Sequence, residues 1–412
     1  MNIRPYDPTT DRDAVYRIWV EIGWLEKGKE DQRQSMETFL EACQALVAEV
    51  RGEAESLVLT TPATLQYQDE TLDFSAVTGV MTSLISRKQG LAGRLTAQAL
   101  ANAAVSGAHV TGLGIFDQGF YDKLGFGNMP YLNTLKFDPE TLLVDSSPRI
   151  PHRLSAEDWE AIHHNRLTRW QGHGSCSLTP SAVTRSEMMW ADNGFGLGYY
   201  DEGSGELTHH VWLSAENRNR GPYNVWWWAY RKGDELMELL ALLKTLSNQV
   251  YTVQLTEPPQ IQFQDLLEEP FRHRRITRKS EHENQARSSS HYQVRILDLP
   301  ACLNHTHLSC DPIRFNLLLT DPIERYLDGH EYWQGIGGSY VVELGADSHA
   351  EHGRDPTWPT LEASVGAFTR LWLGVRPASS LAITDTLTGP DTLLAALDRA
   401  LRLPTPNLDW GF

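Results

Sequence analysis

Residues 75–100 read SAVTGVMTSLISRKQGLAGRLTAQAL, and residues 109–127 read HVTGLGIFDQGFYDKLGFG. Their pattern is strand, turn, helix, strand, turn, short helix. At the centre stands Arg87-Lys88-Gln89-Gly90-Leu91-Ala92, with the spacing [Gln/Arg]-x-x-Gly-x-[Gly/Ala]. Glycine at the fourth place lets the backbone approach an anion without a Cβ in the way. A helix over Leu91 to Val105 would point free N–H groups and the positive end of its dipole at that anion. Arg87 and Lys88 add positive charge. The pattern therefore predicts a pyrophosphate cradle; a basic helix start without a ligand is the plain alternative. Val110 to Phe116 is a second apolar strand, and a strand–helix–strand crossover implies parallel pairing. Tyr121 follows, placed to donate a proton.

Outward from this stretch, the chain has 412 residues, enough for two or three domains. A 41% hydrophobic share supports real cores. The formal charge of −17 disfavours nucleic acid and anionic lipid and favours cationic partners. Four cysteines in so long a chain do not make a disulfide framework, which fits a reducing cytoplasm. The first residues carry Arg4, Asp7, Asp11, Arg12 and Asp13 where a signal peptide would be apolar. No apolar run approaches the ~18–20 residues of a membrane span, so no membrane role is expected. The 13 tryptophans point mainly to large core side chains, with some left for pocket walls.

Met1 to Tyr6 reads as a strand. A helix with Val15, Ile18, Trp19 and Ile22 on one face follows. A second helix is expected from about Arg33 to Val50, with Met36, Phe39, Leu40, Cys43 and Val47 on its apolar side. Glu26, Glu30 and Asp31 near the start of this pair would attract an amine, or simply face solvent. Ser56–Thr60, Thr64–Gln68 and Leu72–Thr82 read as strands.

Past Asp138 the chain turns loop-like. Gly194–Tyr200 and Leu207–Leu213 read as a hairpin, Tyr223–Tyr230 as a strand, and Asp234 opens an apolar helix. The junction Tyr230-Arg231-Lys232-Gly233-Asp234-Glu235 imitates the cradle in outline, but its acids would repel phosphate. Arg272, Arg274, Arg275, Arg278 and Lys279 form a basic run before a Ser-rich segment. Without interleaved aromatics it reads as a solvated linker and not as a nucleic-acid surface. Cys302, His305, His307 and Cys310 offer zinc-type ligands crowded into one segment, with no second pair elsewhere, so no metal is expected. The end, Pro404 to Phe412, is stiffened by two prolines and closes on Trp-Gly-Phe, a pattern that suits an anchored terminus better than a loose tail.

Strand, Arg-x-x-Gly-x-Ala, strand, then Gly-Phe-Tyr-Asp-Lys-Leu-Gly-Phe-Gly resembles the GNAT superfamily of N-acetyltransferases, and more narrowly its Eis (enhanced intracellular survival) family. The resemblance implies a mixed α/β (α+β) fold. Two GNAT-like domains stand in tandem, an acetyl-CoA-binding one over 1–145 and a degenerate copy over 146–290. A sterol-carrier-protein-like domain over 291–412 ends in the catalytic C-terminus. It implies acetyl-CoA contacts at Val80, Met81, Thr82, Arg87, Lys88, Gly90 and Leu91. It makes Tyr121 the general acid and the terminal carboxylate of Phe412 the general base, with a backbone N–H near Met81 holding the oxyanion. Phe116 departs from the pattern, being bulky where a small polar residue is usual. Gly411 stands where an acid is frequent, leaving Asp409 as the nearest one.

The activity implied is acetyl transfer from acetyl-CoA to a primary amine of a cationic substrate, aminoglycoside-, polyamine- or lysine-like, in a ternary complex. The alternative is a non-catalytic acetyl-CoA- or lipid-binding regulatory protein. Members of the family form hexamers, which implies a homo-oligomer. Residues 1–145 alone would then bind acetyl-CoA but transfer acetyl groups poorly.

Overall fold

The computed structural model describes residues 2–117, 119–191, 193–270, 280–327 and 332–412. The basic run at Arg272 to Lys279 lies outside them. The first sheet begins with β1 (Asn2–Pro5), followed by helices α1 (Arg12–Glu21) and α2 (Glu30–Glu41). It continues through β2 (Gln44–Val50), β3 (Glu53–Tyr67), β4 (Glu70–Thr82), helix α3 (Leu91–Val105), β5 (Val110–Gly114) and β6 (Gly127–Asn128). Neighbouring residues of its strands face opposite sides, as a pleat requires. Ala48, Val58 and Val77 pack with Leu91, Leu95 and Leu100 of α3. Val47, Leu57, Leu59 and Met81 pack with Val15, Ile18, Trp19, Met36 and Leu40 of α1 and α2.

That alternation corrects the expected helix from Arg33 to Val50. The helix stops at Glu41, and Gln44–Val50 is a strand between β1 and β3. Val47 and Ala48 serve opposite cores, which a helical face cannot do. The two short strands expected between Ser56 and Gln68 are one strand, β3. Pro62 sits in it where the partner changes from β2 to Cys176–Leu178, so its missing N–H interrupts no continuous ladder.

The second sheet runs in the order Gln285–Ser290, β7 (Tyr131–Phe137), Val253–Thr256, Tyr223–Ala229, Leu207–Ala215, Phe195–Tyr200, His152–Leu154. The helix Gly233–Thr245 covers it through Leu239, Leu240 and Leu243. The Ser-rich segment ending at Ser290, expected as linker, is thus partly a strand paired antiparallel with β7. A third sheet has the order His349–His352, Gly338–Leu344, Ile313–Thr320, Thr360–Ser364, Leu387–Thr388, and Val365–Trp372 is the helix that follows its fourth strand.

The sheets interlock across the expected boundaries at 145 and 290. β7 lies in the second sheet, and Tyr292–Ile296 is inserted between β5 and β6 of the first. Residues 1–145 by themselves therefore lack an interior strand of their own sheet. The third unit is fastened to the first by a fully buried ion pair, Arg295 to Asp321 at 2.7 Å. Tyr67 also stacks on Trp372 with centroids 4.4 Å apart. Removing one member of such a buried pair costs about 3–5 kcal/mol. Arg295 also donates to the carbonyl of Leu124, so this same joint holds the turn that carries Tyr121.

Candidate active site

β4 and β5 pair in parallel only as far as Val77 and Leu113. Beyond that point β4 continues beside β3, while β5 ends at Gly114. The register between β3 and β4 shifts after Leu59–Gly79, to Thr60–Val77, so Thr78 is an extra, bulged residue at the fork. A cavity of 430 Å³ opens there, lined by β4 from Val77 to Thr82, by Ile22, Trp24, Arg87, Leu113, Gly114 and Phe116, and by Tyr121 and Phe412. Val80, Met81, Thr82, Arg87, Tyr121 and Phe412 were named from sequence, and the fold brings them to one cleft. Phe116, the bulky departure, is 91% exposed and also lines it.

Lys88, Gly90 and Leu91 do not line this cavity; they form the start of α3 beside it. Gly90 is the left-handed N-cap (φ +76°), and a Cβ built there would meet no atom. Glycine is therefore required by backbone conformation, and the space above it is open. Arg94 N–H donates to Gly90 O, leaving the first-turn N–H groups without helical acceptors. Neither Arg87 nor Lys88 has an ion-pair partner among the described residues. Open space, free N–H groups, the helix dipole and two unpaired cations together fit a pyrophosphate-bearing ligand.

Tyr121 opens a short 3-10 turn, Tyr121–Leu124, closed by Gly125 with φ +80°. Its ring packs against Phe120 at 4.9 Å and Phe126 at 6.1 Å. Burial, with Asp117 nearby adding to it, pushes the phenol up to about 12, so the proton stays on the oxygen at neutral pH.

The C-terminal tail reaches the same cleft from the other end of the chain. Asn407 N–H donates to His173 O at 3.1 Å. Asp409 accepts two bonds from Arg169, at 2.6 and 3.0 Å, and a third from Cys176 N–H at 3.2 Å. Trp410 is 1% exposed; the Arg166 guanidinium lies 3.6 Å from its ring centre. Its indole N–H donates to Glu187 at 3.1 Å, and Tyr292 OH donates to its carbonyl at 3.2 Å. The Phe412 ring rests 5.4 Å from Tyr292 and 6.1 Å from Phe74. A Cβ placed on Gly114 would sit 2.8 Å from the terminal oxygen of Phe412 and 3.8 Å from His291 Nε2. The end of β5 must therefore be glycine for the terminus to lie where it does.

Residues 2–129 match the family model described as Acetyltransferase (GNAT) domain. Residues 2–129 are a GNAT acetyltransferase domain. No curated protein sequence matches the chain. Solved structures share its fold from end to end. A conserved protein of Enterococcus faecalis, a probable N-acyltransferase, superposes with a TM-score of 0.80 at 16% identity, covering 100% of this chain and 99% of that one. Eis1 from Mycobacterium abscessus does so at 0.74 and 15%, covering 100% of both chains. A GCN5-related N-acetyltransferase from Anabaena variabilis gives 0.78 and 12%, with 100% of both chains covered. The chain thus carries a GNAT acetyltransferase domain at its start and shares its overall fold with Eis1.

Around the GNAT cleft lie features with weak sequence signals. A second cavity of 270 Å³ shares Trp24, Thr78 and Phe412 with the first, and is walled by Trp19, Phe39, Leu178, Val183, Ser186, Glu187, Trp190, Trp226 and Gly411. A third, of 330 Å³, shares Trp226 and Gly411 with the second and includes Arg169, Tyr230, His291 and Asp409. Burial holds the His291 ring below its ordinary value, hence neutral. Gly112 and Gly114 inside a strand were the one available hint of a close backbone approach. Nothing local announced Arg169 or Trp190. Glu26, Glu30 and Asp31 are exposed and line none of these cavities. Asp409, the acid nearest the terminus in sequence, is fully engaged in holding the tail.

The imitation cradle of the second unit is closed by its own side chains. Arg231 N–H donates to Glu235 at 2.7 Å, and the Arg231 guanidinium pairs with Glu206. No three metal-ligating side chains converge among the described residues. Cys302 is buried with its thiol toward His109 O, while His305 and His307 Nδ1 each lie 2.8 Å from a backbone carbonyl. No described helix is long and apolar enough to cross a membrane.

Proposed function

We propose that this GNAT acyltransferase moves an acetyl group from acetyl-CoA to a primary amine by direct attack. The observation that carries the reading is the seam between two cavities: Phe412 closes both the cleft at the β4–β5 fork and the tryptophan-walled chamber behind it. Acetyl-CoA would enter the first, with Arg87, Lys88 and the N–H groups after Gly90 on its pyrophosphate, and Val80, Met81 and Thr82 along its arm. The amine would enter the second.

A free alkyl amine is protonated near neutral pH, with a pKa near ~10 for a lysine-like group. The Phe412 carboxylate accepts that proton, directly or through water. The amine nitrogen then bonds to the acetyl carbon. A backbone N–H near Met81, beyond the point where β5 stops pairing, steadies the negative oxygen. The carbon–sulfur bond breaks as Tyr121 passes its proton to the sulfur. Holding both reactants at one seam supplies the orientation on which such a reaction depends. The net charge of −17 favours approach of a cationic amine.

The division into 1–145, 146–290 and 291–412 belongs to this reading. The first segment binds acetyl-CoA, and the second is a degenerate copy that lends a wall. The sterol-carrier-like third supplies the terminus, which Arg169, Glu187 and Gly114 of the other two segments seat. The test is direct. Acetyl-CoA binding is followed by calorimetry on the full chain, and release of free CoA thiol on adding primary amines is followed by a thiol-reactive dye. Binding with no CoA release for any amine would favour the non-catalytic regulatory alternative.

A further inference from the structure

We infer that the acceptor is a monoamine carried by a short arm on an aromatic or branched aliphatic body, and that polyamines and aminoglycosides are poor acceptors. The inference rests on the acetyl-transfer reading above and concerns the chamber behind Phe412.

Its walls are apolar. Trp24 and Trp190 both pack on Trp19, with centroids 5.4 and 5.5 Å apart, so three indoles brace one another. Trp226 faces them from the second unit, and Leu178 and Val183 fill the gaps. Glu187 is the acidic side chain among the described residues of this lining, and both its oxygens are taken. One pairs with the buried Arg166 guanidinium, and the other accepts from Trp410 Nε1. Asp409 is likewise spent on Arg169. A single ammonium at the seam is served by indole faces on the chamber side and, on the side of Gly114, by the Phe412 carboxylate that will deprotonate it. A second or third ammonium would shed its water against tryptophan and leucine with no free acid among the described residues of the lining to meet it, which is unfavourable for a charge. The chamber's 270 Å³ also falls just below the ~300–1,000 Å³ of ordinary ligand pockets.

The test compares kcat/KM of the full-length protein for 2-phenylethylamine and tryptamine with that for spermidine and kanamycin, at fixed acetyl-CoA. The arylalkylamines are expected to exceed the polycations at least tenfold. Trp226 is half exposed, so Trp226→Glu is expected to fold. It should lower kcat/KM for 2-phenylethylamine and raise it for spermidine, with KM for acetyl-CoA unchanged. Spermidine or kanamycin matching or exceeding both arylalkylamines overturns the acceptor inference while leaving acetyl transfer standing. Absence of CoA release with every amine tried overturns both.

Discussion

Gly114→Ala is the sharpest probe of the terminal carboxylate. The added Cβ would lie 2.8 Å from the Phe412 oxygen, whereas ordinary contacts begin at 3.4 Å. The difference, 3.4 − 2.8, is about 0.6 Å of enforced movement. The terminus has little slack to take it up harmlessly, because Trp410 is 1% exposed and Asp409 is held by Arg169. Misplacing a reacting group by about 1 Å can cost ~100-fold, so kcat should fall by about tenfold or more. The next contact of that Cβ is His291 Nε2 at 3.8 Å, which asks for no adjustment. Overpacking should lower stability by no more than about 1–3 kcal/mol. The assay is steady-state CoA release with both substrates varied, beside a urea melt. A wild-type kcat would refute the argument. So would a raised KM for acetyl-CoA with kcat unchanged, which would mean that the methyl blocks the cofactor cleft and leaves the base in place.

Appending one residue to Phe412 turns its carboxylate into an amide and carries the charge ~3.8 Å away; kcat should drop by the ~10²–10⁴ typical of a lost general base, and full activity would remove the terminus from the mechanism. Tyr121→Phe should cut kcat by a similar ~10²-fold or more with acetyl-CoA affinity by calorimetry unchanged. With the phenol held up at about 12, the wild-type pH–rate profile should show no fall from tyrosine ionisation near its ordinary ~10. Asp409→Ala strands the buried Arg169 charge; a urea melt should show a loss of about 3–5 kcal/mol, and CoA release should fall with it. His210 is fully buried, and that burial, with the Arg166 charge adding to it, holds it down at about 3 against an ordinary 6.5; its Nδ1 lies 2.6 Å from Asn165 Oδ1 and its Nε2 accepts from Trp227. Between those values the unfolded chain binds the extra proton, so stability rises with pH there and is lost as pH falls below about 6.5. Urea midpoints measured from pH 7 to pH 5 should decline, and His210→Asn should shrink the decline.

The parts of the candidate site that could be read in advance are those written in consecutive residues. A helix N-terminus, its glycine and its two cations occupy Arg87 to Leu91, so composition and spacing suffice to place them. The helix expected over Leu91 to Val105 has those limits in the structure. Where local pattern and tertiary pairing competed, pairing prevailed. Gln44–Val50 has apolar residues that continue a helical period, yet β1 and β3 claim its backbone. Gln285–Ser290 looks like linker because its side chains are polar and mostly exposed, which is what an edge strand can also present.

From sequence alone came the GNAT stretch, the cradle, the candidate acid at Tyr121 and the suspicion that the last aromatic residues are anchored. Each is a local matter of backbone conformation, charge or hydrophobicity. Tertiary structure alone decided that Phe412 ends against Gly114, that Arg169 reaches Asp409 across 240 positions, and that Tyr292–Ile296 completes the first sheet. It also decided that the chamber behind the terminus is tryptophan and not acid. These depend on contacts between distant segments, whose closure is governed by packing of the whole core and leaves no period or spacing in the chain.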